Sequence, residues 1–304
     1  MGYSRWSDDD WKSYSTTTSA KAASAVFTSR TLTKELDPKG VIRESRDSDL
    51  NPNSTPVIIG GDVTGSMGSI AYYLVTKGLG TVFQEILERK PVSDPHVAFY
   101  AIGDVRYDRS PLQVSQFEAD LTIAKWLEKV HVEQGGGGNA YESYDMPYYF
   151  AGYHTSHDAF EKRGKKGYIF TYGDEGPPPN TPREWINAHI GDSLEVDPTF
   201  DSSLAAAQKM YYCYHIIIAE GSHTASYGPE RVREQWVPLF GQNVVILDDH
   251  KNLAETIISI MEINEGKDAA SVISSWSGDT SLVVASAVKN LKATAVSTDT
   301  VVRF

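Results

Sequence analysis

A chain of 304 residues, 40% hydrophobic and 11% aromatic, has ample core material, which excludes disorder throughout. A formal net charge of −12 and a pI near 5.1 argue against a nucleic-acid partner, which would need clustered Lys and Arg to meet phosphates. A single cysteine, Cys213, excludes an internal disulfide framework and a thiolate zinc cluster.

Residues 1–55 are rich in Ser, Thr, Asp and Lys and form a polar N-terminal arm. Alone, such a segment is expected to stay flexible. Its Trp6, Trp11, Val26 and Phe27 suit an arm that orders on a neighbouring subunit, which makes a homo-oligomer an expected partner. There is no apolar signal core at the start, and no apolar run approaches the roughly 20 residues of a membrane helix. The expected location is therefore the cytoplasm, with no membrane partner.

The texture changes at Pro56, where Val57-Ile58-Ile59-Gly60-Gly61 predicts a buried strand. Met67, Ile70, Leu74, Val82, Phe83, Ile86 and Leu87 then recur with roughly helical spacing that stops before Pro91. Strands are predicted over 96–102 and 112–114, and helices over 119–131 and 142–160 on either side of four glycines, Gly135 to Gly138. A strand at 168–172 is followed by a helix at 202–210, a strand at 214–219, a helix at 229–240, a strand at 244–247 and a helix at 253–264. This alternation predicts an α/β fold: a doubly wound, mainly parallel sheet flanked by helices over residues 56–265. A C-terminal extension, 266–304, holds one helical candidate at 280–292 that is suited to covering a sheet edge.

Parallel sheets gather ligands in the loops at the carboxyl ends of their strands. After the first core strand that loop reads Gly61-Asp62-Val63-Thr64-Gly65-Ser66-Met67-Gly68. Asp62, Thr64 and Ser66 alternate in a glycine-bearing turn, so a carboxylate and two hydroxyls can converge on one point. Hard oxygens of this kind suit Mg²⁺, Mn²⁺ or Ca²⁺ and suit Zn²⁺ poorly. Asp104, after the second strand, is expected at the same rim, as a second-layer group tuning the site or as a plain turn aspartate.

On this loop the chain resembles the von Willebrand factor A family and its metal-ion-dependent adhesion site, in an intracellular bacterial or phage form. Asp-x-Thr-x-Ser stands where that site has Asp-x-Ser-x-Ser. The resemblance implies a Rossmann-like fold, Thr64 and Ser66 as direct ligands of a divalent cation, with Mg²⁺ favoured, and Asp62 acting through water. The family's threonine, which follows glycines, has no match here; Asn139 and Glu142 stand nearby as alternative oxygen donors. The family's distal Asp, usually next to the strand at 168–172, corresponds to Asp174 after a two-residue displacement, with Glu175 as its rival. The family implies a non-enzymatic interaction module whose metal accepts a partner's Asp or Glu, acting in a larger assembly or beside an AAA+ ATPase.

Two other readings compete. Thr64-Gly65-Ser66-Met67-Gly68 has some likeness to a nucleophile elbow, making Ser66 a serine-hydrolase nucleophile with Asp248 or Asp249 and His250, although Thr64 replaces the elbow's first glycine. The polar extensions suit a self-assembling structural protein whose metal site is vestigial. His154 and His157 are read as surface histidines, and Lys162-Arg163-Gly164-Lys165-Lys166 as a solvated turn. Cys213, in an apolar run, is read as buried and inert.

Overall fold

The computed structural model describes residue 29 and residues 31–74, 78–132 and 139–292. The anchors proposed for the N-terminal arm and the four glycines lie outside those residues. The strands are β1 (Arg43–Ser45), β2 (Thr55–Asp62), β3 (Pro95–Ile102), β4 (Leu112–Val114), β5 (Thr155–His157), β6 (Gly167–Gly173), β7 (Tyr211–Ile218) and β8 (Val244–Leu247). The helices in the first half are α1 (Ser69–Tyr73), α2 (Leu79–Arg89), α3 (Thr122–Leu127), α4 (Asp145–Tyr153), α5 (Asp158–Arg163) and α6 (Arg183–His189). They continue as α7 (Phe200–Met210), α8 (Ser222–Tyr227), α9 (Pro229–Phe240), α10 (Leu253–Asn264), α11 (Ala269–Ser274) and α12 (Asp279–Val288).

Six strands form the main sheet in the order β4-β3-β2-β6-β7-β8, and all neighbours run parallel except the edge pair β3–β4. The chain starts at the centre, fills one side, and returns to fill the other, so the connection reverses between β2 and β6. Both faces of β2 are covered, which is why it reads as continuous apolar sequence rather than as alternation. Val57 and Ile59 face a core shared with α2 and α10; Ile58 faces the opposite core, shared with α4, α7 and α9. Helix α10 is buried at every position but Glu255, between α2 and α12. Its one buried acid, Glu262, is neutralised by Arg89 at 2.9 Å and Lys267 at 2.8 Å. The C-terminal helix α12 lies against edge strand β8 and buries Val284 and Val288. No helix among the described residues is long and apolar enough to cross a membrane.

The single helix expected over 142–160 is instead α4, β5 and α5. Tertiary pairing overrides helical spacing here: β5 forms a parallel two-stranded sheet with β1, Arg43 opposite Thr155 and Ser45 opposite His157. Part of the polar segment is thus built into the domain, with Leu36, Ser45 and Ser54 buried. His157 is not a surface histidine. Its ring is fully buried and caps α5 by accepting from the Phe160 amide. His154 pairs with Asp192 through Nε2 at 2.9 Å. In the basic turn, Gly164 takes the left-handed conformation, while Lys162 pairs with Asp158 and Arg163 with Asp47. Cys213 is buried, and burial pushes its thiol above the usual range.

Candidate metal centre

Strand register brings the acids to one end of the sheet. Asp62 pairs with Ile102, which places Gly103 and Asp104 just beyond the same rim. Gly61 pairs with Tyr172, so Asp62 is level with Gly173 and Asp174 follows one residue later. The displacement of the distal acid seen in the sequence is therefore absorbed by the strand running two residues further. Asp62, Asp104 and Asp174 are all buried, in three loops at the carboxyl ends of adjacent parallel strands.

The loop after β2 is shaped by its own side chains. Asp62 Oδ1 accepts from the Thr64 amide at 2.9 Å and from Thr64 Oγ1 at 2.6 Å, an Asx-type turn that fixes the threonine. Thr64 Oγ1 lies 3.3 Å from Ser66 Oγ, and Ser66 Oγ donates to Asp174 Oδ1 at 2.8 Å. Asp62, Thr64, Ser66 and Asp174 thus form one continuous line of oxygens. The other oxygen of Asp62 accepts from Tyr144 at 2.6 Å. The other oxygen of Asp174 accepts from the His223 amide at 2.9 Å.

Two close approaches require glycine. A Cβ on Gly173 would sit 1.8 Å from the Tyr144 hydroxyl, and one on Gly221 would sit 2.1 Å from Asp174 Cβ. The loop after β7 can therefore lie against Asp174, where Ser222 ties it to the loop after β2 through the Ser66 carbonyl at 3.0 Å and 3.2 Å. Tyr144, Gly173, Gly221 and Ser222 have no signature in the sequence. Only the rule that ligands collect at carboxyl ends could have pointed to the β7 loop.

Glu142 and Glu175 complete the acidic set. A parallel bridge between Tyr141 and Gly176 draws their two segments together, and both side chains are more than nine-tenths buried. Oε2 of each has no hydrogen-bond partner among the described residues. Burial and then the neighbouring Asp62 push Glu175 up to about 8. The same two causes raise Glu142, with Glu175 and Asp104 adding to the effect and contact with Thr64 opposing it. Asp62 is raised by burial and by Asp174, against the lowering pull of its bonds to Thr64 and Tyr144.

Asn139 lies beside the cluster, and its amide donates to Asp104. Asp104 also accepts from the Arg106 amide at 2.9 Å, so its oxygens are engaged within its own loop. No three of the five acids bring carboxylate oxygens within 4.8 Å of one another; Thr64 and Ser66 stand between Asp62 and Asp174. That spacing suits a cation that uses hydroxyls and water along with a few carboxylates, as Mg²⁺ does. Buried unpartnered carboxylate oxygens beside two hydroxyls fit a hard divalent ion. A separate trio on the same rim, Glu220, Asp249 and His250, does come within 4.8 Å, and His250 Nδ1 lies 2.6 Å from Glu220.

Central strand order, the antiparallel edge strand and the loop at the reversal point define a doubly wound, mainly parallel α/β fold. No family model matches the chain, and no curated protein matches it. Among solved structures, the open conformation of the pilus adhesin SpaC from Lactobacillus rhamnosus GG is 12% identical with a TM-score of 0.46. The match covers 71% of this chain and 31% of that one. A von Willebrand factor type A protein from Catenulispora acidiphila is 16% identical with a TM-score of 0.38, covering 71% of this chain and 44% of that one. The chain therefore matches less than half the length of either structure.

Proposed function

We infer that this chain is a non-enzymatic protein-interaction module that works through a divalent cation, with Mg²⁺ favoured over Mn²⁺ or Ca²⁺. The observation that carries the reading is the line of oxygens from Asp62 through Thr64 and Ser66 to Asp174, flanked by the unpartnered oxygens of Glu142 and Glu175. Thr64, Ser66 and Asp174 would hold the ion, with Asp62 and Glu142 completing its charge balance. The bound ion supplies a positive centre in an otherwise acidic rim. The chain's residues fix where it sits: Tyr144 anchors Asp62, and the His223 amide anchors Asp174.

A serine hydrolase is disfavoured by the same geometry. Ser66 donates its proton to Asp174, whereas a nucleophile would donate to an imidazole, and His250 is committed to Glu220. Isothermal titration of Mg²⁺, Mn²⁺ and Ca²⁺ into the wild type and Asp62→Ala is the direct test. Heat from the wild type that is lost in the variant supports the reading; equal heats remove it. Pull-downs with and without EDTA then show whether partners, an ATPase among them, depend on the metal. Assembly through the N-terminal segment is read by sedimentation with and without residues 1–50; an unchanged distribution ends that idea.

A further inference from the structure

A second set of ligating side chains stands on the same rim, outside the oxygen line of Asp62, Thr64, Ser66 and Asp174. Glu220 lies in the loop after β7, and Asp249 and His250 open the 3-10 turn after β8, so two adjacent parallel strands bring them together. One ligating atom from each comes within 4.8 Å of the others. Backbone amides hold the two acids: the His250 amide donates to Glu220 Oε2 at 2.7 Å, and the Lys251 amide to Asp249 Oδ1 at 3.0 Å. Among the described residues the second oxygen of each acid has no protein partner, and neither acid pairs with Lys or Arg. His250 Nδ1 faces Glu220 Oε2 at 2.6 Å, and Tyr73 packs edge-on against the imidazole at 4.9 Å, which fixes the ring's orientation. The side chains of His250 and Glu220 are 13% and 40% exposed, so an ion can reach them. Behind the trio, Oε2 of Glu255 is buried without a hydrogen-bond partner, and the charge of Asp249 reaches it.

We propose that Glu220, Asp249 and His250 form a second metal site, one that takes a transition-metal dication with Zn²⁺ favoured. The imidazole decides the class. A ring nitrogen with two carboxylates is a donor set for Zn²⁺ or Fe²⁺, whereas Mg²⁺ is held by oxygens and water. Three protein ligands leave a fourth position for water or a partner's group. Metal–ligand bonds of about 2.0–2.2 Å in a tetrahedron set the ligand atoms about 3.3 Å apart. The ion would therefore part Nδ1 from Glu220 by roughly 0.7 Å and draw Asp249 inward, and it replaces the hydrogen that now lies between Nδ1 and Glu220. Glu220 directly precedes Gly221 and Ser222, which touch Asp174 and the Ser66 carbonyl. The two sites thus share the loop after β7 but no ligand, and this one does not depend on the cation reading above.

The test is calorimetric titration of Zn²⁺ into the full chain, with the visible absorption of Co²⁺ as a second readout of imidazole ligation. Wild type and Asp62→Ala are both expected to bind Zn²⁺. His250→Ala and Glu220→Gln should each weaken it by at least about 10–100-fold, the range set by losing even an outer-layer partner of a metal ligand. Mg²⁺ heats in these two variants should stay at the wild-type level. Glu220→Gln keeps an acceptor for the His250 amide, and circular dichroism checks that both variants fold. Zn²⁺ bound equally by wild type, His250→Ala and Glu220→Gln belongs to other groups and overturns the inference. So does a wild type that takes up neither Zn²⁺ nor Co²⁺, or Zn²⁺ binding lost in Asp62→Ala and kept in His250→Ala. None of these results bears on the Mg²⁺ reading, which the Mg²⁺ heats of Asp62→Ala decide.

Discussion

Raising the pH of the metal-free protein from 6.5 to 8 should destabilise it, and the acidic rim is the reason. Glu175 loses its proton near 4.5 when unfolded but keeps it to about 8 when folded. Across that window the folded chain binds more protons than the unfolded one, so stability falls as pH rises. Glu142, raised by burial and by Asp62, acts in the same direction. The buried histidines act in the opposite sense at lower pH. Burial lowers His96 and His157 to about 4 and His215 to about 3, so they cost stability as pH falls towards and below 6.5, and between 6.5 and 8 their fading cost adds back about 1 kcal/mol in all. Across the window the acids outweigh this opposing contribution, and Glu175→Gln separates their share from it. One proton is worth about 1.4 kcal/mol per pH unit, which gives about 2 kcal/mol from Glu175, or about 1 kcal/mol if water partly reaches it. Urea unfolding in EDTA at the two pH values measures the difference. Glu175→Gln should remove much of the slope, and saturating Mg²⁺ should add about 2.7 kcal/mol at a hundredfold excess over Kd. Stability that is flat or rises in EDTA, or a full slope retained in Glu175→Gln, would refute the account of these carboxylates.

Gly173→Ala forces a methyl to within 1.8 Å of the Tyr144 hydroxyl. It should cost about 1–3 kcal/mol in chemical denaturation and weaken metal binding measured by titration. Tyr144→Phe removes the 2.6 Å hydrogen bond to Asp62 and leaves a buried carboxylate oxygen short of a donor. A loss of about 1–3 kcal/mol is expected in EDTA, and an unchanged midpoint would argue that Asp62 is not held this way. Glu262→Ala, far from the rim, strands Arg89 without its buried partner and should cost about 3 kcal/mol while leaving Mg²⁺ heats unchanged.

The sequence by itself determined the alternation of strand and helix, because burial on both faces of a parallel sheet writes itself as short apolar runs such as Val57-Ile58-Ile59. It also determined the loop at Asp62, since side-chain oxygens two residues apart in a turn are local chemistry, and the same Asx geometry appears at Thr64. Position after a strand was enough to place Asp104 and Asp174 at the correct rim. The short pair β1–β5 was not legible: three residues inside a helical pattern become a strand only because Arg43–Ser45 lies beside them. Likewise, nothing near Tyr144 announces its bond to Asp62 across 82 residues of sequence. The tertiary structure alone decided how many acidic groups share one pocket, because Glu142 and Glu175 meet Asp62 through strand register and a single bridge between loops. Whether an acid is a solvated surface group or an unpartnered buried one depends on packing, and spacing in one dimension does not encode it.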